Sequence, residues 1–263
     1  MSNHDVDFAR RFGGVSRLYS EAGLAKLQAS HICVIGIGGV GSWAAEALAR
    51  NAVGKITLID LDNIAESNVN RQLHAVDGAF GKAKVTAMRE RILQINPFAA
   101  VSEIEDFVTL ENASQMLNQS FDGIVDCIDD AKAKMAIAAF CKSHHIPLVT
   151  TGGAGGRLDP TKIKLADLSQ VHGDRLLAKV RNGLRRDFGF PKALEIKGKA
   201  KPKAALFGIT AVYSDEQVQQ PDRTCDTDVQ AVSGLNCAGY GSSVCVTAPF
   251  GFAAVAALIS KIL

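Results

Sequence analysis

Residues 31–42 read HICVIGIGGVGS, an apolar run that breaks into glycines before the helix-forming WAAEALAR. Gly36, Gly38, Gly39 and Gly41 fall where a strand turns into a helix. Gly36 lets the chain turn, Gly38 lets a phosphate approach the main chain, and Gly41 permits close packing, so a diphosphate can rest on the N–H groups of the helix start. Asp60 ends a second run, KITLID, about 20 residues further on, where a carboxylate meets ribose hydroxyls. Alone, this pattern fits a dinucleotide or a nucleoside triphosphate equally. The polar segment behind it decides, because LDNIAESNVNRQLH and FGKAKVTAMRERILQINP add Asn68, Arg71 and Lys84, and DCIDD adds Asp129 at the end of another strand. A nucleotidyl transfer needs these parts. Arg and Lys neutralise phosphoryl oxygens, a carboxylate holds magnesium, and positioning with electrostatic stabilisation does most of the catalysis. Hydride transfer has no use for such a set beside its cofactor diphosphate, so an NAD or FAD enzyme is the distant reading.

The elements that must carry these residues alternate. HICVIG precedes SWAAEALAR, KITLID precedes a helical segment from Gly81 to Ile95, AAVSEIED precedes ENASQMLNQ, and FDGIVDCID precedes AKAKMAIAAFCKSHH, before a last run IPLVTT. Such alternation predicts an α/β fold of Rossmann-like type, a mostly parallel central sheet with helices on both faces, and a ligand at the carboxyl ends of the strands. The 263 residues are read as one domain, 1–263, with extra C-terminal strands at KIKLADL and AALFGITAVY flanking a basic insertion at about 172–205. Asp126 and Asp130 read as structural capping residues, and His144 and His145 as the end of a helix.

Charge is unevenly spread. Arg175, Lys179, Arg181, Arg185, Arg186, Lys192, Lys197, Lys199, Lys201 and Lys203 face only Asp174, Asp187 and Glu195, so this stretch is +7 in a chain of net charge +2. Lys and Arg at that density fit RNA phosphates, and the Gly, Lys and Pro content of 189–202 predicts mobility. Six scattered cysteines (Cys33, Cys127, Cys141, Cys225, Cys237, Cys245) suit reduced thiols in the cytoplasm, and no Cys-x-x-Cys pair points to zinc. Cys225 and Cys237 read as ordinary buried thiols before nucleophiles or sulfur acceptors. The apolar tail from Val244 invites a membrane reading, but Pro249 is expected to open its helix and leave it too short to span, so packing on the sheet or a partner is expected.

Taken together, GIGGVGS, the Asp60 and Asp62 pair in LIDLDN, SNVNRQ, GKAKV with INP behind it, and DCIDD resemble the ubiquitin-activating-like adenylyltransferases, the MoeB and ThiF family. That resemblance implies ATP on the Gly-rich turn, with Asp60 and Asp62 among the nucleotide contacts, Asn68, Arg71 and Lys84 on its phosphates, and Mg2+ on Asp129. It also implies a homodimer in which an N-terminal arginine, best matched by Arg17, reaches the partner's active site; Arg10 and Arg11 are alternatives. Within the family, RFGGVSRLY, NRQLHA and IPLVTTGGAGGRLDPT resemble the tRNA threonylcarbamoyladenosine dehydratases. ATP-dependent cyclisation of threonylcarbamoyladenosine next to the anticodon is then the implied activity, with a cysteine desulfurase or sulfur-acceptor system as a further partner. Adenylation of the C-terminus of a sulfur-carrier or ubiquitin-like protein is the alternative, and a non-catalytic nucleotide-binding adaptor the third.

Overall fold

A computed structural model describes residues 7–192, 205–219 and 240–263. Cys225, Cys237 and the basic residues Lys197, Lys199, Lys201 and Lys203 lie outside the described residues. Among the described residues, the sheet has seven strands in the order β3-β2-β1-β4-β5-β7-β6. They are β1 (His31–Ile35), β2 (Lys55–Ile59), β3 (Ala100–Ile104), β4 (Gly123–Asp126), β5 (Leu148–Thr151), β6 (Ile163–Asp167) and β7 (Thr210–Ser214). Neighbours pair in parallel except β6 and β7, which are antiparallel at one edge. The central strands are nearly continuous apolar runs because a parallel sheet is covered on both faces.

One face packs against α1 (Phe8–Ala29), α2 (Gly41–Arg50), α3 (Lys84–Ile95) and α7 (Val244–Ile262); the other carries α4 (Ala113–Met116), α5 (Ala131–Ser143) and α6 (Arg175–Asp187). From β1 the chain builds outward through β2 and β3, then returns to add β4 on the opposite side of β1. That reversal opens a crevice between the loops after β1 and β4.

Three expected helix boundaries change. The helix expected from Gly81 starts at Lys84, because Gly81 N–H donates to the Ile64 carbonyl at 2.8 Å and Ile64 N–H to that of Lys82 at 2.9 Å. ENASQMLNQ is helical only over Ala113–Met116. Asn112 ties itself to the preceding loop instead, accepting from Thr109 N–H at 2.7 Å and donating to the Phe107 carbonyl at 2.8 Å. Pro249 does not open the last helix: Ser243 caps it, accepting from Cys245 N–H at 3.2 Å, and Pro249 lies inside its 19 residues. The Cys245 carbonyl loses its partner at that proline, and Cys245 is exposed, so water can satisfy it. The helix is therefore long and apolar enough to cross a membrane, yet Val246, Phe250, Ala254 and Leu258 are buried in the core and it packs on α2, β4, β5 and β7. Gly251 makes this possible, since a Cβ there would stand 2.6 Å from the Val40 carbonyl oxygen.

Candidate active site

The crevice is a cleft of about 1390 Å³. Gly36, with φ +84, turns the chain out of β1, and a Cβ there would lie 2.9 Å from Ile128 in the loop after β4. A Cβ on Gly41 would fall inside the Gly36 carbonyl, so α2 starts hard against the end of β1. Gly36 N–H is used by the Ile59 carbonyl at 2.8 Å and Ile37 N–H by Asp60 Oδ2 at 2.6 Å. The N–H groups of Gly38, Gly39 and Val40 bond to no described residue, which leaves a backbone cradle at the helix start.

Asp60 lies in the wall of this cleft and is 7% exposed. Besides Ile37, it accepts from Asp62 N–H at 2.8 Å. It thus organises the glycine turn as well as facing the cleft, with one lone pair on each oxygen spent on backbone. Burial raises its pKa above the ordinary aspartate value, against the opposing pull of Lys84 and the two N–H donors. Lys84 is the first residue of α3 and is buried, its Nζ 2.6 Å from Asp62 Oδ2 and 3.9 Å from Asp60 Oδ1. Its backbone N–H bonds the Asp62 carbonyl at 3.0 Å, so ammonium and carboxylates are locked as a unit.

Asn68 ends a single 3-10 turn after β2, and its Oδ1 accepts from Ala65 N–H at 3.1 Å. Arg71 follows, with its aliphatic stem over Gly39 (a Cβ there would be 3.1 Å from Arg71 Cγ) and its guanidinium donating to the Ser67 carbonyl at 2.8 Å and Asn70 Oδ1 at 2.9 Å. Trp43 Nε1 fixes the Arg71 carbonyl at 3.0 Å. Across the cleft, Asp129 is half-buried and bonds to no described residue. Asp130 is the N-cap of α5, accepting from Ala133 N–H at 2.7 Å, as its reading as a cap expects. Asp126 also accepts a local backbone bond, from Ile128 N–H at 3.2 Å, but it does more than cap: fully buried, it pairs with Lys134 Nζ at 3.0 Å and accepts from Thr150 Oγ1 at 2.7 Å. Among the described residues no group of three His, Cys, Asp or Glu side chains converges on a metal position. Asp129 offers a carboxylate that no described residue engages, which suits Mg2+ held mainly by phosphates and water. Cys127 also lines the cleft, but burial pushes its thiol up to about 12, so it is no thiolate nucleophile near neutrality.

The pattern of the ThiF family matches residues 11–246, most of the chain. The chain belongs to the ThiF family. Among its relatives, the tRNA threonylcarbamoyladenosine dehydratase of Haemophilus influenzae is 46% identical over 98% of this chain and 95% of its own length. The Escherichia coli tRNA N6-threonylcarbamoyladenosine dehydratase, TcdA, solved in complex with ATP, is 44% identical, with a TM-score of 0.84 over 97% of this chain and 94% of that one. The same enzyme solved with AMP superposes with a TM-score of 0.83 at 42% identity over 99% of this chain and 98% of that one. The α/β Rossmann-like architecture read from the sequence is the one these ThiF-family structures share.

Gly36, Gly38, Gly39, Asp60, Asp62, Asn68, Arg71, Lys84 and Asp129 all line the one cleft, whereas Gly41 lies beneath it as a packing residue. Arg17 is not brought there: it is exposed on α1, with its guanidinium near Gly13 and Gly14. Arg11 is committed elsewhere, donating to the Ile95 carbonyl at 2.7 Å. Sequence reading missed three features of the site. Lys134 is one, although a lone lysine on a helical stripe with Ile137, Ala138 and Cys141 is a signal for a buried partner. Gln72 and Thr247 are the others, each with a buried side-chain oxygen in the cleft wall and no hydrogen-bond partner among the described residues. His74 lies behind the turn, its Nε2 2.9 Å from the Ile37 carbonyl and its Nδ1 buried and without a partner among the described residues.

Proposed function

We infer that this chain is an ATP-dependent tRNA threonylcarbamoyladenosine dehydratase. The observation that carries the reading is the gathering of a glycine cradle whose N–H groups bond to no described residue, with Arg71, Lys84 and Asp129, around one cleft, in a chain 46% identical over 98% of its length to an enzyme of that name. The threonyl carboxylate attacks the α-phosphorus of ATP, forming an acyl–adenylate and releasing pyrophosphate. A nucleophile within the same modified base then attacks the acyl carbon, closing a five-membered ring and expelling AMP. One carboxylate oxygen leaves with AMP, so the base loses the elements of water.

Each residue has work that its position supports. The free N–H groups of Gly38 to Val40 hold phosphate oxygens, Arg71 and Lys84 offset charge that builds as pyrophosphate departs, and Asp60 and Asn68 hold the nucleotide. Asp129, with Asp62 across the cleft, would hold Mg2+, which would further neutralise that charge. Because the ring-closing nucleophile is already attached to the acyl group, proximity replaces an enzyme thiol, which agrees with the raised pKa of Cys127. We further propose a cytoplasmic homodimer in which exposed Arg17 serves the partner's cleft; the four described cysteines are free, as a reducing compartment requires.

The test is mass spectrometry of tRNA bearing threonylcarbamoyladenosine after incubation with protein and ATP. Loss of one water from the base, abolished in Arg71→Ala and Lys84→Ala, is expected. Pyrophosphate exchange stimulated only by a carrier protein, or cyclisation left intact in both variants, would overturn the reading in favour of carrier activation or an adaptor.

A further inference from the structure

The basic stretch is not a uniform cloud of charge, because the first half of it is α6, an amphipathic helix whose two faces the structure separates. Leu176, Leu177, Val180, Gly183 and Leu184 are buried against the sheet-facing layer. Gly183 sits on Met135 of α5, where any Cβ would overlap the sulfur. Two of the arginines are used inside the fold. Arg181 donates to the Val171 carbonyl, and Arg185 donates to the Pro191 carbonyl at 3.2 Å while its guanidinium lies over the Phe207 ring, 5.3 Å from the centroid. Arg175, Lys179, Asn182 and Arg186 remain exposed. Their spacing of four, three and four residues puts them on one outward stripe, about 16 Å long from first to last at 1.5 Å per residue.

That stripe points at the chemistry. Arg186 stands in the wall of the cleft, which Lys132 at the start of α5 also lines. The helix is also held rigidly to the cleft floor. Its N-cap Asp174 accepts from Leu177 N–H at 2.8 Å and from Gly153 N–H at 2.9 Å, and pairs with buried Arg157 at 3.4 Å. Gly152 and Gly155 of that anchoring loop line the cleft.

We propose that the Arg175–Lys179–Asn182–Arg186 stripe is the track on which the RNA backbone lies, delivering the modified base to the cleft at its Arg186 end. The inference rests on the tRNA reading above and adds the surface. Charge complementarity selects a polyanion, and a rigid helix with its other face buried offers Lys and Arg at fixed intervals for phosphates without reading bases. Arg186 now shares its guanidinium with the exposed neighbour Asp187 at 2.7 Å, a pair that water screens and a phosphate can displace.

The experiment compares two triple variants by fluorescence anisotropy with unmodified and modified tRNA across a salt series. R175Q/K179Q/R186Q removes the stripe. K26Q/K55Q/K261Q removes the same charge from exposed residues near the opposite, N-terminal end of the strands. The stripe variant is expected to bind tens of fold more weakly near 0.15 M salt, with a log–log salt slope shallower by about two to three, at about 0.7–0.9 for each of three lost phosphate contacts. The control should change neither by as much, and thermal melting should report both as folded. Equal losses in both variants, or an unchanged slope in the stripe variant, would overturn the proposal. Since binding is read without turnover, a protein that binds tRNA through the stripe yet fails to dehydrate it would count against the activity and not against the surface.

Discussion

Acidification should loosen the nucleotide turn through one histidine. His74 is 5% exposed and its Nε2 meets the Ile37 carbonyl at 2.9 Å, so the neutral ring carries its proton on Nε2 and presents a buried Nδ1 that has no partner among the described residues. Protonating Nδ1 would bury an unpaired charge beside Lys84. Burial accordingly lowers the pKa from 6.5 to about 4, with the Ile37 hydrogen bond opposing and Lys84 adding to the effect. A histidine depressed in the fold stabilises it fully above its unfolded value and loses that contribution as pH falls from 6.5 towards about 4. At pH 5 the unfolded ring is almost entirely protonated and the folded ring hardly at all, which amounts to about 2 kcal/mol lost, rising to about 3 kcal/mol at still lower pH. Urea unfolding at pH 7.5 and pH 5, on the wild type and His74→Gln, isolates the term. Glutamine can keep a donor on the Ile37 carbonyl but cannot titrate. The wild type should lose about 2 kcal/mol more than the variant over that interval. If both lose stability in parallel, the argument from the bare Nδ1 is wrong.

Lys134→Met should cost about 3–5 kcal/mol in thermal or chemical unfolding, because it strands Asp126 as a buried charge, and Asp126→Asn added to it should restore part of the loss. Gly41→Ala should abolish ATP binding measured by calorimetry, or soluble folded protein altogether, since its Cβ would occupy the Gly36 carbonyl; Gly78→Ala, with φ +83 and open space around it, should cost only about 1 kcal/mol of backbone strain. Thr247→Val removes a buried hydroxyl that has no partner among the described residues, so melting temperature should not fall, while ATP affinity should drop several-fold, about 1 kcal/mol for one lost hydrogen bond. A fall in melting temperature with unchanged ATP affinity would show the hydroxyl to be structural.

Much of the site is legible because its signals are local. A phosphate cradle needs glycines at fixed offsets between strand and helix, and Gly36 to Gly41 occupy four of six consecutive positions with apolar runs on both sides. The alternation of five strand and helix runs likewise follows from burial on two faces, and it survives in the sheet order. Boundaries were less legible, because long-range bonds help decide them: Ile64 holds Gly81 and Lys82 out of α3, and Val244 N–H, beside the Ser243 cap and ahead of Pro249, donates to the Asn70 carbonyl where α7 starts. Nothing local distinguishes Arg181 and Arg185 from Arg175 and Arg186. Their difference lies in the Val171 and Pro191 carbonyls and the Phe207 ring, which reach them only in the folded chain.

The sequence by itself determined the chemistry on offer, a glycine turn for phosphates with Asn68, Arg71, Lys84 and Asp129 at hand, because residue type and short-range spacing are what backbone turns and charge neutralisation depend on. Tertiary structure alone decided how each group is engaged. It turned Asp60 into the brace of the glycine turn, buried Asp126 on Lys134, left Asp129 in the cleft without a partner among the described residues and set Arg17 outside it, since burial and pairing arise only when the chain folds.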